Sequence, residues 1–130
     1  MQSKIFKGCL MQKIIFRAIS LIFLLLGFTS VFAAPIKTET NCEKTDVRLQ
    51  YNCLVEIKKG KDLINNAEVM VGADMPSMPM AHNVKPVRVD KSIKEGEYKF
   101  VIQLEMQGEW KFIYNFTKPE RDKIFEKLDF

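Results

Sequence analysis

Residues 98–116, YKFVIQLEMQGEWKFIYNF, are the stretch that decides the fold. Apolar side chains occupy alternate positions on both sides of a glycine at position 108. A period of two with one apolar face is typical of a half-buried β-strand, and the glycine indicates a turn. The stretch therefore predicts two consecutive strands joined by a turn, whose inward-facing side chains are Tyr98, Phe100, Ile102, Leu104 and Met106, then Trp110, Phe112, Tyr114 and Phe116.

Two segments before this stretch alternate in the same way. Residues 47–57, VRLQYNCLVEI, and residues 67–73, AEVMVGA, each place apolar side chains on every second position. We expect both to be half-buried strands. Their inward faces include Val47, Leu49 and Tyr51 in the first and Val69 and Val71 in the second.

Two further segments complete the pattern. In residues 84–90, Pro86 indicates either an edge strand or a strand that starts after the proline, because proline cannot donate to a sheet ladder. Residues 123–130, KIFEKLDF, are short for an isolated helix and suit a last strand, with Glu126 as an exception on its apolar face. Six to seven short strands with frequent turns predict an all-β fold, an antiparallel β-sandwich of immunoglobulin-like type.

The N-terminal residues 1–33 differ in composition from the rest. A basic start is followed by an almost wholly apolar run, residues 18–32, and by small residues at the end. This order is typical of a secretory signal peptide. We expect cleavage after Ala33 and export to the periplasm, whereas an uncleaved segment would anchor the protein in the membrane. Translation can begin at Met1 or Met11, since either leaves a basic start.

Removal of the signal changes the charge of the chain. The full sequence has 20 basic and 16 acidic residues, a net charge of +4. Four basic residues and no acidic ones precede Ala34, so the remainder is formally neutral. Neutrality does not favour nucleic acid as a partner. Residues 34–46 are polar and are predicted to be a flexible lead-in to a sandwich domain over residues 47–130.

Cys42 and Cys53 are the cysteines that remain once Cys9 is removed with the signal. An exported protein folds in an oxidising compartment, where an even pair favours a disulfide. Thiolate metal ligands are the alternative, but ten intervening residues are unlike the tight spacing of most cysteine sites. We therefore expect the disulfide.

Catalytic motifs are missing from the sequence. There is no G-x-S-x-G, no H-E-x-x-H and no phosphate-binding glycine loop, and His82 is the one histidine. Glu105 and Glu109 flank the turn at Gly108, but two such glutamates usually belong to a solvated face. We expect a protein that is not an enzyme.

Residues 74–83, DMPSMPMAHN, contain the candidate functional side chains. Their two prolines exclude a regular helix or a sheet ladder, so an extended, exposed loop is expected. Thioether sulfur beside an imidazole suits Cu(I) better than other common metals. In an extended loop, side chains two residues apart share one side. The candidate copper ligands are Met78, Met80 and His82; Met75 requires a turn at Pro76 to join them, and Met106 requires its own turn to lie at the same end of the sandwich.

Other interpretations of the loop stay open. Methionine fills irregular gaps in cores, and methionine-rich surfaces also serve adaptable protein recognition. The chain could thus be a non-catalytic accessory module that contacts a membrane or periplasmic protein partner. Trp110 is expected in the core rather than over the methionine cluster. The sequence does not indicate an oligomeric state.

The run DMPSMPMAHN, followed by a strand and GEYKFVIQLEMQGEW, resembles the YtkA-like domain family, which is related to the FixH-like exported proteins. The likeness covers residues 47–116. It implies an immunoglobulin-like sandwich outside the cytoplasmic membrane, similar in kind to periplasmic copper carriers and cytochrome-oxidase assembly factors. FixH-like proteins keep a membrane anchor, which this chain is expected to lose. The matching positions are Met75, Pro76, Met78, Met80, His82, Gly96, Tyr98, Met106, Gly108 and Trp110.

Overall fold

The computed structural model describes residues 32–130, which are all-β. Among these residues, no helix is long and apolar enough to cross a bilayer. The signal peptide predicted for residues 1–33 lies outside the described part except at its last two positions, and it stays a prediction. The strands are β1 (Ile36–Lys44), β2 (Gln50–Lys59), β3 (Asp62–Leu63), β4 (Glu68–Asp74), β5 (Asn83–Arg88), β6 (Asp90–Lys91), β7 (Glu97–Gln103), β8 (Glu109–Lys118) and β9 (Asp122–Asp129).

These strands form two antiparallel sheets that pack as a β-sandwich. One sheet has the order β1-β2-β7-β6 with β3 beside β2, and the other has the order β5-β4-β8-β9. The predicted fold class is therefore confirmed. Pro86 lies in β5 at the edge of its sheet, as its missing N–H requires.

The core lies between the inward faces of the two sheets. Alternate residues of β2, β4, β7 and β8 are buried, which confirms the period-two analysis of those segments. Trp110 is fully buried and belongs to the core, as expected. The ring of Phe112 stacks on that of Phe130, with centroids 5.6 Å apart.

The start predicted for the strand over residues 47–57 is too early. Val47 is exposed, and β2 begins only at Gln50. Val47 and Leu49 lie in the turn between β1 and β2, where Leu49 takes a left-handed φ of 59°. Both residues are apolar and lie in phase with the inward-facing positions of β2. The sequence pattern therefore extends the strand further than the structure does.

The flexible lead-in predicted for residues 34–46 is wrong, because most of this segment forms strand β1. Its inward-facing positions include Thr38 and Thr40, so its buried face carries hydroxyls and lacks the apolar alternation that marks the other strands. Pairing with β2 along its whole length gives β1 its backbone partners. It places Cys42 directly opposite Cys53, and the two form the predicted disulfide.

Glu126 joins the two sheets along one side of the sandwich. Its carboxylate accepts hydrogen bonds from the N–H of Thr40 at 2.9 Å and from the Thr40 hydroxyl at 2.8 Å. The Thr40 oxygen lies 2.5 Å from the hydroxyl of Tyr114. Thr40 donates its one hydroxyl hydrogen to Glu126, so the phenol of Tyr114, whose pKa is raised by burial, is the donor to Thr40. The exception on the apolar face of β9 is thus a polar link to β1.

Candidate functional site

The methionine-rich loop between β4 and β5 consists of two consecutive turns. The N–H of Met78 donates to the carbonyl of Met75 at 3.0 Å, and the N–H of Ala81 donates to the carbonyl of Met78 at 3.2 Å. A third bond, from Met75 N–H to the His82 carbonyl at 3.4 Å, closes the loop. The loop is therefore folded and not extended as predicted, because each proline occupies the second position of a turn, which its fixed φ favours. The period-two rule does not apply to its side chains.

Met80 has an unusual backbone conformation in the second turn. It follows Pro79 and has a φ of 73°, which is the geometry of a type II turn. Glycine usually occupies this position, since a left-handed conformation costs an L-residue about 1–2 kcal/mol. The Met80 side chain is 96% exposed and gains little by packing. The turn thus directs a thioether into solvent at an energetic cost.

Replacing Met80 with glycine is expected to raise the free energy of unfolding by about 0.5–1 kcal/mol, because relief of the left-handed strain exceeds the cost of glycine flexibility. Met78→Gly is the matched control, since Met78 has no left-handed φ to relieve, and it is expected to lower stability by a similar amount. Urea denaturation of both variants measures the difference. A loss of stability in Met80→Gly would contradict the assignment of strain to Met80.

The methionines of the loop differ in exposure. Met78 is 39% exposed, whereas Met75 is buried. A Cβ placed on Gly108 would come within 2.9 Å of the terminal methyl of Met75, so that methyl packs closely on the β7–β8 turn. Gly108 also has a φ of 133°, which L side chains rarely adopt. Met75 therefore fills the core below the loop, while Met78 and Met80 remain at the surface.

The β7–β8 turn lies at the same end of the sandwich as the loop. Glu105 Oε2 is in hydrogen-bond contact with His82 Nδ1, and Met75 packs on Gly108. Met106 was expected to reach the loop only if its own turn lay at the same end of the sandwich, and the turn does lie there. The Met106 side chain itself is partly buried against the core and lines a groove with residues 44–51.

The described part of the chain contains no cluster of the side chains that usually bind hard or borderline metals. Within residues 32–130, no three His, Cys, Asp or Glu side chains come together as a metal site. Cys42 and Cys53 are joined to each other and are not free thiolates. Glu105 contacts His82, whereas Glu109 accepts a hydrogen bond from Lys127 at 3.0 Å, so the two glutamates have separate partners. Soft thioether sulfur, together with one imidazole, is what the loop can offer a metal.

Several positions of the sequence motif have structural roles. Gly96 takes a φ of 70°, and a Cβ there would approach Leu63 to 2.6 Å. The Tyr98 hydroxyl donates to the Ile64 carbonyl at 2.7 Å and accepts from the Ala67 N–H at 2.9 Å, which fixes the segment before β4.

The indole N–H of Trp110 donates to the Met106 carbonyl at 3.1 Å and fixes the β7–β8 turn. In contrast, the exposed thioethers of Met78 and Met80 lack such an explanation.

Glu105 is the residue of this site that sequence reasoning missed. The sequence pattern relates it only to Glu109, four residues away. Its contact with His82 joins two different loops that are 23 residues apart in the chain. No spacing rule within one segment could have indicated it; only the antiparallel arrangement of the strands brings these loops to one end.

Comparison with known proteins gives one match. The model of a family described as YtkA-like matches residues 36–115, which is more than half of the chain. No curated protein and no solved structure matches it. The matched segment begins with β1, includes the methionine-rich loop and ends within β8. The chain therefore belongs to the YtkA-like family.

Proposed function

We propose that this protein is an exported Cu(I)-binding protein that carries or delivers the metal. The ligands are the thioether sulfurs of Met78 and Met80 and the Nε2 atom of His82. The observation that carries the proposal is Met80, whose exposed thioether is held outward by a strained left-handed backbone. Strain of this kind persists where the surrounding structure imposes it, and it clusters at functional sites.

The chemistry of the donors supports monovalent copper. Thioethers are soft and uncharged, and they favour Cu(I) over the harder divalent ions. His82 has its Nδ1 engaged by Glu105, which leaves Nε2 as the nitrogen available to a metal. Two prolines and three backbone hydrogen bonds restrict the loop. This restriction reduces the entropy lost when the ligands are ordered around an ion.

The exposure of the site supports transfer rather than permanent storage. Met80 is almost fully exposed and Met78 partly so, which leaves room for ligands of a partner to reach the same ion. The buried Met75 lies beneath them as part of the core and is not assigned as a ligand. Export is supported by the N-terminal sequence pattern and by the Cys42–Cys53 disulfide, a bond typical of oxidising compartments.

Replacing Met80 with leucine is expected to weaken Cu(I) binding by at least about tenfold, because it removes a ligand atom, and loss of an outer-shell partner alone costs 10–100-fold. The measurement is an anaerobic competition titration against a Cu(I) chelator. Met70→Leu is the control, since Met70 on β4 is also an exposed methionine but lies outside the loop. Equal competition by wild type and Met80→Leu, or none by either, would refute copper binding at this loop.

A partner-binding module is the second candidate, and it is favoured by the same exposure of Met78 and Met80. The two functions respond differently to substitution. Leucine preserves apolar bulk, so a contact surface should tolerate Met80→Leu. His82→Asn separates them further, since the Asn amide can still donate to Glu105 but provides no atom in place of Nε2. Loss of copper binding in both variants supports the metal site, whereas copper binding that both variants retain cannot come from this loop and leaves the contact surface as its proposed role.

A further inference from the structure

We propose that Glu105 is a positioning residue that fixes the tautomer and the orientation of His82, so that the Nε2 lone pair of His82 is presented to the ion bound by the loop. This inference rests on the proposed copper function. It adds a residue from the β7–β8 turn to a site otherwise made by the β4–β5 loop.

The backbone on both sides of Glu105 is fixed. Leu104 before it is buried, and its N–H donates to the Leu49 carbonyl at 2.9 Å. Met106 after it has its carbonyl bound by the indole N–H of Trp110 at 3.1 Å. The Glu105 side chain is thus attached to an anchored backbone, although about half of its own surface is exposed.

His82 is anchored from its own side of the contact. It directly precedes β5, and its carbonyl accepts the hydrogen bond from Met75 that closes the loop. Two fixed backbones therefore bring the imidazole and the carboxylate together. The glutamate on the other side of this turn, Glu109 at the start of β8, accepts a hydrogen bond from Lys127 instead. The His82–Glu105 contact is specific to one of the two glutamates.

The chemistry of the contact determines the tautomer. An ionised carboxylate can only accept hydrogen bonds, so Nδ1 of His82 must carry the hydrogen. A neutral imidazole has one N–H, and Nε2 then has a free lone pair. Metal-binding histidines commonly have this arrangement, with the second nitrogen donating to a carboxylate that orients the ring. Without Glu105, both tautomers become available and the ring can turn.

Two measurements on the purified protein test the role of Glu105. In the metal-free protein, 1H–15N NMR in mildly alkaline buffer reports the tautomer directly, and His82 gives the one set of imidazole signals because it is the only histidine. We expect the Nδ1–H form in wild type and a mixture in Glu105→Ala. Glu105→Gln should restore the wild-type form in part, because its amide oxygen can still accept from Nδ1.

Anaerobic Cu(I) competition is the second measurement. Glu105→Ala is expected to weaken binding by about 10–100-fold, Glu105→Gln by less, and the control Glu109→Ala not at all. Wild-type binding that Glu105→Ala leaves unchanged, or an Nε2–H tautomer in wild type, would overturn the role of Glu105 alone. Failure of wild type to compete for Cu(I) would overturn the proposed function and, with it, this role.

Discussion

Replacing Trp110 with alanine is expected to lower the free energy of unfolding by about 3–5 kcal/mol, the range for removing a large aromatic side chain from a packed core. Trp110 is fully buried at the start of β8. Its indole N–H also holds the Met106 carbonyl, so the substitution leaves this carbonyl without its partner. We expect the β7–β8 turn to loosen and copper binding to weaken as a secondary effect.

Two further variants separate the contributions of Trp110. Trp110→Phe keeps most of the apolar volume but loses the hydrogen bond, and it should fall between wild type and alanine. Phe125→Ala is the control for a large aromatic residue on the same sheet; Phe125 is 57% exposed, so its loss should change stability by less than about 1 kcal/mol. Chemical denaturation monitored by far-UV circular dichroism gives all three values. A change below about 1 kcal/mol for Trp110→Ala would contradict its place in the core.

The alternation of apolar residues was sufficient to predict the sandwich because most inward positions in β2, β4, β7 and β8 are apolar. The same rule failed at β1, whose inward face includes Thr38 and Thr40. The hydroxyl of Thr40 can be partly buried there because Glu126 and Tyr114 satisfy its hydrogen bonds. These partners come from the other sheet, so a rule that reads each segment separately could not recognise β1 as a strand.

The loop illustrates a second limit of sequence reasoning. Its composition identified the exposed thioethers of Met78 and Met80, but it gave the wrong backbone conformation. A left-handed residue in a type II turn is usually glycine or asparagine, and methionine at position 80 does not indicate one. Nor could composition distinguish Met75, which is buried, from its neighbours. Burial there depends on close packing against Gly108, which comes from another part of the chain.

The Cys42–Cys53 disulfide has a clear place in the architecture. It links directly opposed residues of β1 and β2, with Cα atoms 4.1 Å apart. Within residues 32–130, strand β1 is at the edge of its sheet and pairs with β2 alone. Apart from its ladder with β2, the buried side chain of Ile36 and the bonds from Thr40 to Glu126 and Tyr114 hold it to the sandwich. The disulfide is therefore the covalent attachment of an edge strand with a partly polar inner face.

Removing this disulfide with the double substitution Cys42→Ala and Cys53→Ala is expected to lower the free energy of unfolding by about 3 kcal/mol, the loop-closure entropy of a link this short in sequence. Wild type in reductant should show a similar loss in urea denaturation. Asn41→Ala with Leu54→Ala is the matched control, since these residues form another directly opposed pair on the same strands without a covalent bond. That pair should cost less than about 1 kcal/mol. If both double variants lose the same stability, the covalent link contributes nothing beyond side-chain contact, and β1 is held by its ladder, by the buried Ile36 and by the Thr40 cluster.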